Sequence, residues 1–452
     1  MTRVGPWPRL LNRWSPEEME PATRTEGFVM LTAEMNELLT RVGPGTRMGE
    51  LFRRYWLPAV LSEEVPEPDG PPVRVRLLGE DLVAFRDSTG MVGLIGAHCP
   101  HRQAPMFFAR NEECGLRCVY HGWKFDAAGN CVDMPSEPPE SIFKTKVNID
   151  AYPTWEGGGL VWAFMGPRAE LPPFPSYEWL RAPATHRRVS KTLENANYLQ
   201  ALEGGIDTAH SSFVHNNDLG DAERLKSQNT HPLLEVEPTS YGFRYAGIRD
   251  VGGGRRYVRA YHYLMPAMQM RAALLTHSGK PRELPTLRGH VWVPIDDEWT
   301  MVYNWICAAD PDKAIDDDAW LKHEKAAGRG PDDFIDGSYR LKRNLSNDFL
   351  IDRELQRRKT YTGITGLNTQ DFAVQEGMGP ICDRSKEHLG TSDKAIIMAR
   401  RMLREALEAI DEGRQPPAAD NPEVGQLRPA EALIDTSVPW QESMKDLLTA
   451  QW

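Results

Sequence analysis

Hydrophobic and polar positions divide the chain by their period. Between residues 30 and 59 the apolar positions follow helical spacing. Thr32 is placed to cap a short helix carrying Met35, Leu38 and Leu39, and Gly43-Pro44-Gly45 ends it. A second apolar stretch, 51–56, stops before Pro58. Near residue 60 the period falls to two. Val73, Val75 and Leu77 alternate with Arg74 and Arg76, as in a half-buried strand. Turn residues at 79–81 and 87–90 lead into apolar runs at 82–85 and 91–95. Residues 125–130 read as another hairpin, and 160–165 close the region at Gly166-Pro167. Short strands with turn signals predict a small antiparallel β-domain over 60–166, preceded by a helical segment, 30–59, and a disordered extension, 1–29. Met30, where the regular pattern begins, is a candidate alternative start.

Pro172, Pro173 and Pro175 mark a linker into a second region, 167–413. There 193–215 reads as a helix with a broken end. Strands are expected at 241–249, 257–265, 290–293 and 299–305, the last two joined by a turn at Asp296-Asp297-Glu298. Residues 311–347 are polar and read as a surface excursion, and 347–358 as a helix. Residues 392–410 carry Ile396, Ala399, Leu403, Ala406 and Ile410 at helical spacing, with Gly413 as the stop. The last stretch, 414–452, is rich in Pro and acids and is expected to be an extended arm with a short helix near 443–450.

Composition narrows the functions open to the chain. It has 452 residues, 40% hydrophobic and 26% charged, with 53 basic and 64 acidic side chains and a net charge of −11. That balance argues against nucleic acid or an anionic membrane as partner. No apolar run approaches the roughly 18–20 residues that span a bilayer. The first 30 residues, with Pro6, Pro8, Glu17, Glu18 and Glu20, do not form a secretory signal. Six cysteines make no disulfide framework, and a reducing cytoplasm is the expected compartment.

Against this background one stretch carries specific chemistry: Cys99-Pro-His101, sixteen residues, then Cys118-Val-Tyr-His121-Gly-Trp123. Each half offers one thiolate and one imidazole. A Rieske [2Fe–2S] centre takes two Cys on one iron and two His on the other. A zinc site of this composition usually pairs Cys with Cys and His with His. The equivalent loops, 102–106 and 119–120, lack the extra cysteines of the disulfide-bearing Rieske type. Trp123 is expected to shield the cluster.

A second candidate centre lies at 203–215, where Asp207, His210 and His215 follow Glu203. Two His and a carboxylate on one face are the ligand set of non-heme Fe(II) oxygenases. Asp207 and His210 are neighbours at i,i+3 in a helix, but His215 does not share their face, so the helix has to end or distort between the two His.

The two motifs in this order resemble the large subunit of Rieske non-heme iron oxygenases. The stretches 347–354 and 370–390 resemble the branch containing phthalate 4,5-dioxygenase and phenoxybenzoate dioxygenase. The resemblance implies an α+β fold: an antiparallel Rieske domain plus a catalytic domain with an antiparallel sheet and covering helices, of the helix-grip type. It implies a third iron ligand downstream. Asp348, Asp352, Asp371 and Asp383 are candidates, and Asp371, after Gln370, fits the family pattern best. It implies that Asp207 bridges His210 and His121 of a neighbouring subunit, in a homotrimer or a multiple of one. It also implies an NADH-dependent reductase with flavin and ferredoxin-type centres, O₂, and an aromatic acid as substrate. The alternatives are a monooxygenase or O-demethylase on an ether or methoxylated aromatic, a Rieske electron-transfer protein without mononuclear iron, and a structural zinc protein. An aromatic carboxylate calls for a basic pocket residue. Arg244, Arg249, Arg259 and Arg271 are candidates, Glu203 is a candidate cleft residue, and His262 and His290 are expected to be structural.

Overall fold

The computed structural model describes residues 31–452. The extension 1–29 and the start at Met30 lie outside them. The first described helices, α1 (Ala33–Thr40) and α2 (Arg47–Arg53), begin where hydroxyl caps stand. Thr32 accepts from the amide of Met35, and Thr46 from that of Gly49.

Three small antiparallel sheets follow. Their strands are β1 (Trp56–Leu61), β2 (Val73–Leu77), β3 (Glu80–Arg86), β4 (Val92–Gly96), β5 (Arg110–Glu112), β6 (Gly115–Arg117), β7 (Lys124–Phe125), β8 (Cys131–Asp133), β9 (Ala151–Tyr152), β10 (Thr154–Gly157) and β11 (Leu160–Phe164). The sheet orders are β1-β11-β10, β2-β3-β4-β9 and β5-β6-β7-β8. One apolar cluster, including Phe85, Ile95, Leu116 and Phe125, joins the second and third sheets and ends at Cys99, Cys118 and Trp123.

After α3 (Glu178–Arg181) comes the large sheet. It contains β12 (Arg187–Glu194), β13 (Leu233–Thr239), β14 (Gly242–Asp250), β15 (Arg255–Leu264), β16 (Met268–Leu275), β17 (Pro281–Pro294) and β18 (Thr300–Ala308), in the order β12-β18-β17-β16-β15-β14-β13. The helices α4 (Tyr198–Ile206) and α5 (Leu225–Gln228) lie between β12 and β13 in sequence. Later come α6 (Asp317–Ala327), α7 (Arg353–Arg358), α8 (Leu367–Gly377) and α9 (Lys394–Asp411). The fold is α+β, an antiparallel sheet with covering helices. Among the described residues no helix is long and apolar enough to cross a membrane.

Several local expectations change. The helix expected over 193–215 is only α4: the first two residues of that stretch end β12, and Asn197 caps α4 by accepting from Leu199. The polar stretch 311–347 contains α6, which buries Glu324. Residues 345–350 are not a regular helix, because Asp348 and Phe349 have left-handed backbone angles. The largest change concerns 414–452. It is no free arm: β19 (Ala430–Asp435) pairs with the first half of β15, while the last residues of β15 pair with β16. The sheet splits between β15 and β16, and the C-terminal strand fills the split. A final helix, α10 (Trp440–Ser443), precedes the stretch where one was expected.

Candidate metal centres and substrate cavity

The two cluster loops have matching backbones. The carbonyl of Cys99 accepts from Gln103, and that of Cys118 from Gly122, at 2.8 and 2.9 Å. Gln103 and Gly122 both have left-handed φ, 59° and 77°. Glycine is required at 122 on a second count, since a Cβ there would lie 2.6 Å from Pro135. Cys99 and Cys118 are buried, and the rings of His101 and His121 lie 4.4 Å apart. Trp123 stacks on His101 at 4.3 Å and donates its indole N–H to Ser136.

The donors suit a cluster. His101 Nδ1 is buried without a hydrogen-bond partner among the described residues, a lone pair left for something else. Burial pushes the Cys99 thiol up to about 11, and Cys118 beside it adds to the shift. Two neighbouring buried thiolates therefore need a positive centre between them.

The second centre gathers residues from distant parts of the chain. α4 ends at Ile206, and a short turn carries His210 and then His215. Their Nε2 atoms are 3.2 Å apart. Asp371 Oδ1, from α8, lies 3.2 Å from His215 Nε2 and 3.7 Å from His210 Nε2. Ligand atoms of these three residues all lie within 4.8 Å of one another. Two imidazoles and one carboxylate suit Fe(II). Of the other candidate carboxylates, Asp352 caps α7, and Asp383 caps the turn at Ser385 and pairs with Lys386. Asp348 sits in the irregular turn.

Neighbouring groups orient these donors. Gln370 Oε1 faces His215 Nδ1 at 3.0 Å, and its amide nitrogen donates to Asn217 and to the carbonyl of Ile364. Held this way, the amide oxygen accepts from His215 Nδ1–H and leaves Nε2 free for metal. Sequence reasoning used Gln370 only as a marker for Asp371 and missed this role. Asp207 accepts from the amides of Ala209 and His210, and its Oδ2 is 3.5 Å from His210 Nδ1. Burial favours protonation of Asp207, but His210 and the backbone donors outweigh it and hold the carboxyl below its ordinary range.

A cavity of about 310 Å³ runs from Asp207, His210, His215 and Asp371 to the face of the split sheet. Alternate residues of the strands point into it: Tyr257, Arg259 and Tyr261 on β15, Arg271 and Ala273 on β16, Arg288, His290 and Trp292 on β17. Glu203 is not among the lining residues. The turn of α4 that presents Gly204 and Gly205 to the cavity carries Glu203 to another face, where it takes Arg384 at 2.9 Å and Arg400 at 2.6 Å. Arg244 pairs with Glu237 away from the cavity. Arg249 donates to the carbonyls of Thr208 and Asn229 and so braces the metal turn. Arg259 and Arg271 do face the cavity. His262 is structural, between Tyr241 and the carbonyl of Arg428. His290 lines the cavity while bonded to Asn304.

Internal partners separate the cavity cations. Arg259 lies against Glu431, and Arg329 against Glu324. Arg224 donates to the carbonyls of Ser211, Ser212 and His215. Arg271 and Arg288 face each other in register across β16 and β17. Among the described residues their side-chain hydrogen-bond partners are neutral, Gln269 and Thr286. Removal from water and neighbouring guanidiniums push Arg288 down to about 9 and Arg271 to about 10, both still cationic at neutral pH. Sequence reasoning missed Arg288 and Glu431. The period-two pattern Arg288-x-His290-x-Trp292 was a usable signal for the first.

Two family models match: the Rieske [2Fe-2S] domain over residues 55–153 and the LigXa C-terminal domain like family over 163–450. The chain is 41% identical to the phthalate 4,5-dioxygenase oxygenase subunit of Pseudomonas putida, across 91% of this chain and 94% of that one. It is 38% identical to the 3-chlorobenzoate-3,4-dioxygenase oxygenase subunit of Comamonas testosteroni, across 91% and 97%. It is 34% identical to the 5,5'-dehydrodivanillate O-demethylase oxygenase subunit of Sphingobium, across 86% and 83%. Among solved structures, Pseudomonas putida CBB5 NdmA QL mutant with theobromine shares the fold, with a TM-score of 0.60 and 20% identity over 87% of this chain and 99% of that one.

Proposed function

This chain belongs to the large subunits of the Rieske non-heme iron oxygenases, and on that premise we propose that it hydroxylates an aromatic acid, phthalate-like or phenoxybenzoate-like. As the terminal oxygenase component, it uses a Rieske cluster and mononuclear iron. Cys99, His101, Cys118 and His121 hold the cluster in this reading, and His210, His215 and Asp371 hold the iron. When bound, the two centres supply single electrons and oxygen activation.

The protein's residues do the rest. Gln370 keeps the His215 proton on Nδ1, and Asp207 faces Nδ1 of His210. Tyr261, Trp292 and Phe372 give the cavity aromatic walls for a ring. Arg271 and Arg288 take the substrate carboxylate, which fixes the ring relative to the three metal ligands. The observation that carries the aromatic-acid reading is this facing guanidinium pair, unpaired with any carboxylate among the described residues, in the cavity that holds His210, His215 and Asp371.

The partners in this reading are an NADH-dependent reductase with flavin and ferredoxin-type centres, and two further copies of the chain in a cyclic trimer. In the trimer Asp207 of one subunit faces His121 of the next. Exposed Val119 and Tyr120 beside His121, and Phe213 and Tyr361 near the metal turn, supply apolar surface for that contact. A reducing cytoplasm suits six free cysteines.

The test is turnover with a matched reductase, following NADH and O₂ consumption over a panel of aromatic acids and their neutral amides. Coupled consumption with an acid and none with its amide is expected. Turnover that ignores the carboxylate defeats the reading. Product formed under labelled O₂ carries two labelled oxygens after dihydroxylation and one after monooxygenation.

A further inference from the structure

The C-terminal strand places a carboxylate inside the cavity. Glu431, on β19, is buried and lines the same space as Arg259, Arg271 and Arg288. Its Oε2 accepts from the backbone amides of Leu274 and Leu275 at 2.7 and 3.0 Å, and its Oε1 accepts from the hydroxyl of Tyr257. The same carboxylate lies 3.4 Å from Nε of Arg259. The amides of Leu274 and Leu275 are free because the β16–β17 register shifts between Ala273 and Leu275, and because β15 and β16 have parted there. Glu431 therefore has a full set of donors, and Arg259, which also donates to the carbonyl of Ala272, is the neutralised member of the cationic floor.

We infer that Glu431 is a specificity-determining residue: it occupies the seat at Arg259 that a further substrate carboxylate would take, and so withholds Arg259 from anion recognition by the facing pair Arg271 and Arg288. The inference rests on the aromatic-acid reading above. It assigns the C-terminal strand a part in substrate choice, as an internal stand-in for a ligand group.

The test uses the full-length holoenzyme and the dissociation constants of benzoate, benzene-1,2-dicarboxylate and benzene-1,2,4-tricarboxylate, measured by calorimetry. Glu431→Gln keeps a carbonyl oxygen for the Leu274 and Leu275 amides while releasing Arg259. The tricarboxylate-to-dicarboxylate affinity ratio is expected to rise about tenfold, the scale of one charge-assisted hydrogen bond. An unchanged ratio overturns the inference. Should Glu431→Gln fail to fold, Arg259→Gln gives the second reading. It leaves Glu431 without its cation, and dicarboxylate affinity is expected to fall about tenfold; unchanged affinity overturns the inference. A wild-type protein that binds none of the three acids defeats the aromatic-acid reading itself, whereas binding with an unmoved ratio defeats only the role of Glu431.

Discussion

Two charge clusters lie on different sides of α4, and they are built to opposite rules. Behind the helix, Glu203 receives Arg384 and Arg400, and Arg400 also takes Glu387. Every charge there has an internal partner. In front of it, Arg271 and Arg288 face each other with no carboxylate of the described residues between them. Like charges directly opposite each other on neighbouring strands destabilise a sheet. The first cluster stabilises the fold by its own closure. In the proposed function, the second is completed by the carboxylate of the substrate. The difference shows how to read buried charge: count the partners the chain supplies, and what remains is addressed to a ligand.

The largest expected effect tests the closed cluster. Glu203→Gln leaves two guanidiniums short of a carboxylate and is expected to lower stability by about 3–5 kcal/mol, read from urea denaturation. A shift below about 1 kcal/mol would place this cluster with weak surface pairs instead.

The open cluster is expected to answer in the reverse sense. Arg288→Met should weaken binding of an aromatic acid by roughly 10- to 100-fold, while the melting temperature holds or rises because a like-charge contact is relieved. Calorimetry and thermal unfolding on the same preparation separate the two readouts. Loss of stability together with loss of binding would erase the contrast.

The metal turn stands between the two regimes, with one neutral group completing a set of donors. Gln370→Leu removes the acceptor for His215 Nδ1–H and is expected to lower metal affinity by about 10- to 100-fold. Equilibrium dialysis against Fe(II) measures it, and the visible absorption of the cluster should not change.

The smallest effect is a pH dependence. Burial favours protonation of Glu203, but Arg384 and Arg400 outweigh it and hold the carboxyl below its ordinary value. A depressed folded pKa contributes stability that is complete above the unfolded value, about 4.3, and lost as pH falls through the folded value. The urea midpoint of the wild-type protein should therefore approach that of Glu203→Gln on acidification below about pH 4. Parallel profiles for the two proteins would remove the linkage.

The cluster loops were legible early because all four donors fall within 23 residues, and each pair is shaped by one local turn. His210 and His215 were legible for the same reason, and Asp371 came from a family pattern around Gln370. Glu203 was misread because its partners lie about 180 and 200 residues away; nothing near it in sequence says which face of α4 meets the cavity. The C-terminal segment was misread because its pairing strand is shorter than its polar surroundings, and a Pro-rich, acidic stretch carries the same composition whether it is free or inserted in a sheet.

Spacing along the chain was enough to single out the thiols and imidazoles that stand at metal-ligand intervals, and the resemblance they carry supplied the α+β fold. Spacing within one turn survives any arrangement of the distant parts. Which side chains meet in the cavity came only from the folded chain: Arg271 meets Arg288, β19 enters the split between β15 and β16, and Glu431 thereby reaches Arg259. Those meetings depend on strand register, and a slip of one residue would turn every one of these side chains to the other face of the sheet.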